Sequence, residues 1–435
     1  MFNVNLPSFF LVILLIQSSC ANEDDVEDSM ESESHESGIG ESSPRLPVTP
    51  WRPQYFYGPM LPQHSPALIA RTFPAFIPFT SCTSPNKETG ICAESGACTR
   101  LGGRASGACP EGRICCINVV TNTCDDADRK VVTLDNTYWL SPTMGISSST
   151  TGCALTVKLD AKLSEQRKAV CQVRLNFVLF TIAQPDTESV CNTDAFDVVG
   201  ASNKIPTICG DNGGQHMYLN VPSSATSPTD LQLSFNFGTD SNPVRAWNIL
   251  ISMIPCDSPN LAPLDCLQYF TGRSGTVSSF NWRDVAGTDT RQLANQDYSI
   301  CFKTIPGSRR TLCLAPCTVT SASLAFSISV SRTAGAVASP AGSSQLRPIN
   351  CEKDYLVIPG GFNVGNPPSV NTMAFDRFCG ENLNANAEVT ALTSVCTTAT
   401  PFRLLYRTSD DETEDKTAGV VDRGNLGFCL TFRNQ

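Results

Sequence analysis

The feature that most constrains this chain is its cysteine content. The 435 residues include 21 cysteines, and one of them, Cys20, lies in an N-terminal stretch typical of a cleaved secretory signal. An even number then remains in the mature chain. Disulfides persist in oxidising surroundings, so we expect these cysteines to be paired in an extracellular protein. The three histidines, His35, His64 and His216, fall in no Cys/His ligand cluster, which makes a zinc site a poor alternative.

Residues 1–21 have the pattern of a signal peptide. Their apolar core, from Phe9 to Ile16, is too short to cross a bilayer, and the small-residue pattern Ser19-x-Ala21 follows it. No later segment of the sequence is apolar for long enough to anchor the chain in a membrane. We therefore expect a secreted protein without membrane insertion.

Residues 22–81 predict a disordered arm of two parts. Residues 22–41 contain nine Asp or Glu and no Lys or Arg, so nearly all of the net charge of -10 lies there. Such a segment buries too little apolar surface to fold. Residues 44–78 carry a proline every few positions, which is typical of an extended linker. We interpret the arm as a spacer, with Trp51 or the aromatic run YFYG as an alternative docking motif.

Six cysteines crowd into residues 82–116. A segment of this size has almost no apolar core, so disulfides must hold it together, and their pairing stays open. The closing Cys-Cys pair and the GG and SG turns resemble the clip-like cysteine knots that precede protease domains in arthropod secreted proteins, although the gap between Cys98 and Cys109 is shorter than usual there. The six are Cys82, Cys92, Cys98, Cys109, Cys115 and Cys116.

The remaining two-thirds of the chain contains a repeat. Its first copy runs from CNTD through ICG to Asp240, and its second copy runs from CEKD through FCG to Asp410. The aspartate of the opening motif is Asp194 in the first copy and Asp354 in the second. In both copies the last Asp follows the cysteine of the Cys-Gly pair by 31 residues. This shared spacing predicts two copies of one domain.

Both copies are predicted to be all-β. Polar and apolar residues alternate in ALTVKL at 154–159 and in LQLSFNFG at 231–238, which puts the apolar side chains on one face. Similar short runs are separated by clusters of Gly, Pro, Asn, Asp and Ser. Two packed antiparallel sheets would bury those faces, and no long amphipathic helix competes with them. The predicted fold is a pair of antiparallel β-sandwiches behind a small disulfide-rich knot.

These motifs resemble those of CUB domains, which are disulfide-linked β-sandwiches of extracellular proteins. In the second copy the resemblance rests on GTVSSFNW at 275–282, YSIC ending at Cys301, the CEKDYL and RFCG motifs, PFRLLYRTSD at 401–410 and GFCLTF at 427–432. In the first copy it rests on Cys153 at the opening of a strand and on CNTD, ICG and FGTDS. The resemblance implies CUB-like domains at residues 124–256 and 266–435. The order of knot and two such domains also resembles a group of arthropod secreted proteins.

The resemblance to CUB domains also implies four disulfides, two in each copy. They are Cys124–Cys153, Cys191–Cys209, Cys266–Cys301 and Cys351–Cys379. Six further cysteines lie outside the family pattern and their partners stay open, although pairing Cys171 with Cys256 would leave no free thiol in the first copy. The six are Cys171, Cys256, Cys313, Cys317, Cys396 and Cys429.

Calcium is the one cofactor that the resemblance implies. Calcium-binding CUB domains use a Glu, the Asp of a Cys-x-Tyr-Asp motif and a later Asp near the strand before Gly-Phe, which suits calcium's preference for several oxygen ligands. Asp194 with Asp240, and Asp354 with Asp410, match the two aspartates. We therefore carry these four residues as candidate calcium ligands.

The first acid of that ligand set is missing from both copies. Ala183 stands where the Glu is expected in the first copy, and SLAFSISVSR in the second copy holds no acid. Asp186 or Glu188, on the following loop, would be a substitute. Two carboxylates hold calcium weakly unless carbonyls or waters complete the shell. The competing interpretation is that each Asp orders the loop beside its strand.

Nothing in the sequence predicts catalysis. His216 is the only histidine in the predicted folded region, and no GxSxG, HExxH or phosphate-cradling glycine motif accompanies it. The folded part is nearly neutral, without the basic stripe of a nucleic-acid-binding protein. We therefore expect a secreted, non-catalytic adaptor that binds extracellular proteins or glycans. A matrix or cuticle component and a regulatory partner of a clip-type serine protease are the alternatives.

Overall fold

The computed structural model describes residues 80–435 apart from short gaps, and this part is almost entirely β. It contains strands β1 to β23 and one α-helix of six residues, α1 (Ser95–Arg100), so no described helix is long and apolar enough to cross a membrane. The all-β class predicted from the sequence is confirmed. The predicted signal and all but the last two residues of the predicted arm lie outside the described residues. The gaps are residues 123, 125–129, 144, 147–148, 160–167, 240–242, 286–290, 305–309, 321–323, 329–341, 344–350, 352, 370–374, 381, 386–391 and 411–424.

The six-cysteine segment forms a small sheet beside α1. Its strands are β1 (Ser81–Thr83), β2 (Thr89–Ala93), β3 (Arg104–Ala108) and β4 (Ile114–Thr121), with a 3-10 turn at Pro110–Gly112. The strands pair antiparallel, β1 with β2 and both β2 and β3 with β4. Four buried residues form its small apolar core, namely Ile91, Ala93, Cys98 and Cys116.

The next stretch of the chain forms the first sandwich. Its strands are β5 (Lys130–Val132), β6 (Thr137–Leu140), β7 (Gly152–Lys158), β8 (Val170–Thr181), β9 (Asp194–Val199), β10 (His216–Asn220), β11 (Asp230–Phe237) and β12 (Ala246–Pro255). One sheet has the order β6-β12-β8-β10 and the other has the order β5-β7-β11-β9. Strand β4 pairs with β6, so the knot and the sandwich share one 8-stranded sheet.

Aromatic side chains fill the space between the two sheets of the first sandwich. In β11 the alternate residues Leu231, Leu233 and Phe235 are all buried, as the sequence pattern predicts. The ring of Phe235 stacks on Trp247 of β12, with 4.2 Å between centroids, and lies 5.3 Å from the Trp139 ring of β6. Because β11 belongs to one sheet and β6 and β12 to the other, the three rings join the layers. Large buried rings of this kind dominate core energetics.

The rest of the chain forms the second sandwich, a curled 11-stranded sheet. Its strands are β13 (Cys266–Phe270), β14 (Ser274–Ser278), β15 (Asp297–Phe302), β16 (Leu312–Pro316), β17 (Phe326–Ser327), β18 (Gly342–Ser343), β19 (Tyr355–Asn363), β20 (Phe375–Cys379), β21 (Val395–Thr397), β22 (Arg403–Arg407) and β23 (Gly427–Asn434). The main path runs β13-β15-β22-β19-β21-β16-β23-β14.

Strand β19 carries the sheet from one layer of the second sandwich to the other. Its first residues pair with β22 and its last residues pair with β21, and the register of its pairing with β20 shifts in between. The bend falls at Gly360, whose φ of 61° is a left-handed conformation that favours glycine. The N–H of Gly360 donates to Asp376 Oδ1 at 2.7 Å. The glycine pair in YLVIPGG therefore marks a corner of the fold.

Three strand pairs are parallel, which the expectation of antiparallel sandwiches did not include. They are β4 with β6, β5 with β7 and β13 with β15. In each pair the strand that intervenes in sequence, β5, β6 or β14, lies in the other layer. The chain crosses to the other layer for the intervening strand and then crosses back. The strands before and after it therefore run in the same direction and pair in parallel.

The two sandwiches share apolar contacts. One cluster of buried side chains includes residues of both, from Cys124 in the first to Phe432 in the second. A smaller cluster packs Tyr218 of β10 against Tyr269 of β13 and the nearby Cys266 and Cys301. The described residues therefore belong to one compact unit.

Candidate metal and binding sites

Every cysteine from Cys82 to Cys429 belongs to a disulfide. Four of the ten disulfides are those that the resemblance implies, Cys124–Cys153, Cys191–Cys209, Cys266–Cys301 and Cys351–Cys379. The cysteines outside the family pattern pair as Cys171–Cys256, Cys313–Cys396 and Cys317–Cys429. Cys313 of β16 lies directly opposite Cys396 of β21 in the sheet, which the topology decides and the spacing in sequence does not.

The knot holds the other three disulfides. They are Cys82–Cys115, Cys92–Cys109 and Cys98–Cys116. The sulfurs of Cys82, Cys92 and Cys109 lie within 4.8 Å of one another, a spacing that a metal site would also show. All three sulfurs are already bonded in disulfides, so they offer no thiolate to a metal. This cluster is therefore structural.

Asp194, the first residue of β9, is buried against an arginine. Arg245 donates from Nη2 to Asp194 Oδ1 and from Nε to Oδ2, each at 2.8 Å, and its side chain is only 3% exposed. The main-chain N–H groups of Ala183 and Gly238 donate to the same carboxylate at 3.0 and 3.2 Å. The guanidinium also lies 4.8 Å from the centroid of the Phe237 ring. The chain itself thus balances the charge of this carboxylate.

This arrangement does not suit calcium. An ion that took both oxygens of Asp194 would displace the guanidinium of Arg245 and leave a buried positive charge without its partner. Ala183, at the place expected for the Glu ligand, contributes only its main-chain amide. The second aspartate of this candidate site, Asp240, lies outside the described residues.

No motif in the sequence points to Arg245. The one feature that could have drawn attention to it is its position directly before β12, the last strand of the sandwich, where the second sandwich has Leu426 directly before β23.

Asp186, the alternative acid of the first sandwich, orders its own loop. Its Oδ1 accepts the main-chain N–H groups of Glu188 and Val190 at 2.9 and 3.0 Å.

Asp354 lies fully buried directly before β19. Its Oδ1 accepts the main-chain N–H of Ser409 at 2.6 Å, and the carbonyl of Ser409 accepts the N–H of Asn295 at 2.7 Å. Asp410 follows Ser409 and is exposed. The fold therefore brings the segments of the two candidate ligands Asp354 and Asp410 together, with one carboxylate buried and the other facing solvent.

The two copies share this contact between an aspartate and a loop. In the first copy Asp194 accepts an N–H from Gly238, two residues before Asp240, and in the second Asp354 accepts an N–H from the residue before Asp410. A carboxylate that accepts main-chain N–H groups orders the loop that carries them. Loop ordering is thus a role that both aspartates have in the structure, whether or not a metal joins them.

His216 links the two sandwiches. It opens β10, is 7% exposed, and its Nε2 accepts the main-chain N–H of Tyr269 in β13 at 3.1 Å. Burial, and after it the positive charge of Arg174, lower the pKa of His216 to about 3. The ring is therefore neutral near pH 7, as this hydrogen bond requires. Because Nε2 already accepts the Tyr269 N–H, it is not available as a general base.

A buried asparagine, Asn281, lies at the centre of the junction between the sandwiches. Its Oδ1 accepts the N–H of Asp211 at 2.9 Å, its own N–H donates to Asn212 Oδ1 at 2.8 Å, and its Nδ2 donates to Gln184 Oε1 at 2.9 Å. Arg283 forms an ion pair with Asp211 beside it. Directional hydrogen bonds between buried groups hold one relative placement of the two sandwiches.

With this geometry in view, residues 263–435 match the family model of the animal CUB domain. The match covers less than half of the chain, and it spans the second sandwich. CUB domains are typically extracellular recognition modules and are generally non-catalytic.

Two solved structures show a likeness to this chain. The CUB1-EGF-CUB2 domains of rat MASP-1 are 13% identical, cover 73% of this chain and 100% of their own, and give a TM-score of 0.22. The CUB1-EGF-CUB2 domain of human MASP-1/3 is also 13% identical, covers 68% of this chain and 98% of its own, and gives 0.21. A comparison of the sequence with curated proteins gives no match.

Proposed function

We propose that this protein is a secreted adaptor without catalytic activity, which binds extracellular proteins or glycans through its CUB-like sandwiches. The observation that carries this proposal is the match of residues 263–435 to the animal CUB domain, whose members are typically extracellular recognition modules. The many disulfides fit an oxidising compartment.

The junction supports an adaptor role. Two binding surfaces on one compact unit keep a defined spacing, because hydrogen bonds around Asn281 join the sandwiches. A surface that is ordered before binding loses less conformational freedom when its partner arrives. The protein would therefore hold two partners, or two parts of one partner, at a set distance.

Calcium enters this proposal at the second sandwich. Asp354 and Asp410 would hold the ion together with carbonyl groups or waters, since calcium takes 6–8 oxygen ligands and two carboxylates alone are too few. Bound calcium would supply positive charge that orders the loop after β22, where a partner's basic side chain would then be received by the acids. The first sandwich has Arg245 in place of such an ion.

Calorimetric titration of calcium into the full chain tests the metal part of the proposal. We expect a dissociation constant of roughly 10⁻⁴ to 10⁻³ M, the range of extracellular calcium modules, and loss of binding in Asp410→Asn. Asp410 is exposed, so this variant should fold. Asp257→Asn, which removes an exposed acid of the first sandwich, is the matched control and should bind as the wild type does.

Biolayer interferometry tests the adaptor part. The immobilised full chain is exposed to a panel of extracellular proteins and glycans, once with calcium and once with a chelator. Binding that is lost with chelator and in Asp410→Asn supports a calcium-assisted adaptor. Binding that survives both removes calcium from the proposal. Absence of binding, with self-association into insoluble material, contradicts the adaptor and favours a structural matrix component.

A further inference from the structure

A polar cavity of about 450 Å³ opens on the outer face of the first sandwich. All three folded parts line it, because Ser81 comes from the knot, Arg174 and Tyr218 come from the first sandwich, and Thr271 follows the first strand of the second. Its size falls within the roughly 300–1,000 Å³ of small-molecule sites in proteins. None of the residues that line it is a candidate calcium ligand.

One cross-strand rung of the shared sheet forms the floor of this cavity. Tyr218 of β10 pairs with Arg174 of β8, and Arg174 pairs with Ser252 of β12. Ser252 Oγ donates to Asn136 Oδ1 at 2.8 Å, and Asn136 Nδ2 donates to Ser81 Oγ at 3.1 Å. Side chains alternate between the faces of a strand, so this row lies on the side opposite the apolar core. Five polar side chains therefore form one continuous line.

Arg174 is the charged group of the floor, and its side chain is incompletely satisfied. Its Nε is buried and has no hydrogen-bond acceptor, and Arg174 forms no ion pair with any residue that the structure describes. Its guanidinium lies 5.4 Å from the centroid of the Tyr218 ring, within the range of a cation–π contact. Because Arg174 lines the cavity, a ligand there would meet a guanidinium that has no carboxylate partner among the described residues.

The buried arginine of the first sandwich behaves differently. Arg245 lies against Asp194 with two hydrogen bonds from its guanidinium to the carboxylate. That pair shows the geometry in which a guanidinium recognises a carboxylate, with two parallel N–H groups facing two oxygens. Arg174 lines a cavity and forms no such pair with a carboxylate of the described residues, so an external carboxylate is the group that would balance its charge.

The remaining wall groups favour a ligand that also carries hydroxyl groups. Ser81, Asn136 and Ser252 offer hydroxyl and amide groups along the floor, and Asn260 adds an exposed amide at the edge. Asp135 also lies in the wall and is held by N–H groups of Asn136 and Met253 at 2.8 and 2.7 Å. A carboxylate in the wall disfavours a bare inorganic anion but accepts hydrogen bonds from hydroxyls.

We propose that this cavity binds an acidic sugar unit, a pyranose that carries one carboxylate and several hydroxyls. Arg174 binds the carboxylate, and the Ser and Asn side chains bind hydroxyls. A small number of placed polar groups is what fixes the orientation of a ligand in such a site. The proposal rests on the glycan-binding part of the proposed function and does not depend on calcium or on a protein partner.

Calorimetric titration of the full chain with glucuronate and with glucose tests this assignment. The two sugars differ in one group, the carboxylate, so their difference isolates the role of Arg174. We expect glucuronate to bind at least tenfold more tightly than glucose, since charge-assisted bidentate hydrogen bonds are the strong ones. Acetate and sulfate, titrated separately, measure recognition of a bare anion and should bind at least tenfold more weakly than glucuronate.

Two variants place the binding at the cavity. Arg174→Gln should weaken glucuronate at least tenfold and bring it to the level of glucose. Asn260→Trp, at an exposed position on the rim, should block both sugars without disturbing the core. Arg433→Gln, which removes an exposed arginine of β23, is the control and should leave binding unchanged.

Three results would overturn the proposal. The first is equal binding of glucuronate and glucose by the wild-type chain, including no binding of either. The second is glucuronate binding that Arg174→Gln and Asn260→Trp both leave intact while the thermal midpoint shows each variant to be folded. The third is binding of acetate or sulfate as tight as that of glucuronate, which would make this a simple anion site.

Discussion

The two related aspartates, Asp194 and Asp354, differ in the side chains that surround them. Asp194 and Asp354 occupy the same place in the repeat, and each accepts a main-chain N–H from the loop that leads to the last Asp. Arg245 adds a full counter-charge in the first copy. The second copy has Leu426 at the position before its last strand, so this particular counter-charge is lacking there. Arg245 thus distinguishes the first copy, in which a guanidinium of the chain itself balances the charge of the motif's aspartate.

We predict that Arg245→Gln destabilises the protein strongly. Removing one partner of a buried ion pair leaves Asp194 with an uncompensated charge, which typically costs about 3–5 kcal/mol. Urea unfolding at pH 7 measures the loss. Lys168→Gln, which breaks an exposed ion pair with Asp257, is the control and should hardly move the midpoint. Equal effects of the two substitutions would contradict the role given to Arg245.

At the scale of elements, the alternation in the sequence predicts which strand face is buried, except where a second layer covers the outer face. Strand β11 follows the pattern, with its apolar residues buried and Asp230, Gln232 and Asn236 exposed. Strand β10 does not, because all of its residues from His216 to Asn220 are buried. Its outer face lies against β13 of the second sandwich, a contact that no local pattern contains.

The burial of β10 gives a pH dependence. His216 has its pKa lowered to about 3 in the folded state, against an ordinary value of 6.5. Between these values the unfolded chain binds a proton and the folded chain does not, so stability falls as pH falls through this window, by up to about 5 kcal/mol in all. Above pH 6.5 the ring is neutral in both states and contributes no further change.

Urea unfolding from pH 7 to pH 4 measures this effect. His216→Gln keeps an acceptor for the Tyr269 N–H but does not titrate, so its unfolding free energy should fall less steeply over the same range. The difference between wild type and variant isolates the histidine from the carboxylates, which titrate in both. Parallel curves would show that His216 is protonated equally in the folded and unfolded states.

At the scale of the whole molecule, the junction makes one unit of the described chain. The main chain approaches closely at Gly210, whose φ is 75° and whose missing side chain leaves room for Asn281. A Cβ there would lie 2.0 Å from Asn281 Oδ1, the atom that accepts the Asp211 N–H. The Cys-Gly pair of the first copy is therefore a contact point with the second sandwich as well as a disulfide site.

We predict that Gly210→Ala lowers the free energy of unfolding more than Gly214→Ala does. Gly214 has a similar φ of 84°, and a Cβ added there would meet no atom within 4 Å, so Gly214→Ala bears only the left-handed backbone cost of about 1–2 kcal/mol. Gly210→Ala bears that cost and also displaces Asn281, which adds about 1–3 kcal/mol for the lost buried hydrogen bond. Urea unfolding of both variants measures the difference. Equal losses would contradict a tight approach at Gly210.

Features that depend on local pattern could be predicted from the amino-acid sequence. Strand alternation, the repeat around Asp194 and Asp354, and the richness in disulfides all follow from neighbouring residues or from motif spacing. The four family disulfides that the resemblance implies are also the pairs in the structure, since each belongs to one copy of the motif. The sequence offered no catalytic motif around His216, and no sequence signal indicated its partner Tyr269.

The packing of the layers decides which residues distant in sequence come into contact. No pattern among neighbouring residues predicts these contacts. Arg245 lies 51 residues from Asp194, and Asn281 lies 70 residues from Asp211, so neither contact has a signal in spacing. The parallel strand pairs, the cavity rung through Arg174 and the junction all arise when separate layers pack on one another. Packing selects these contacts because buried polar and charged groups must find partners wherever the layers bring them. A local pattern records which face is buried, but not what covers it.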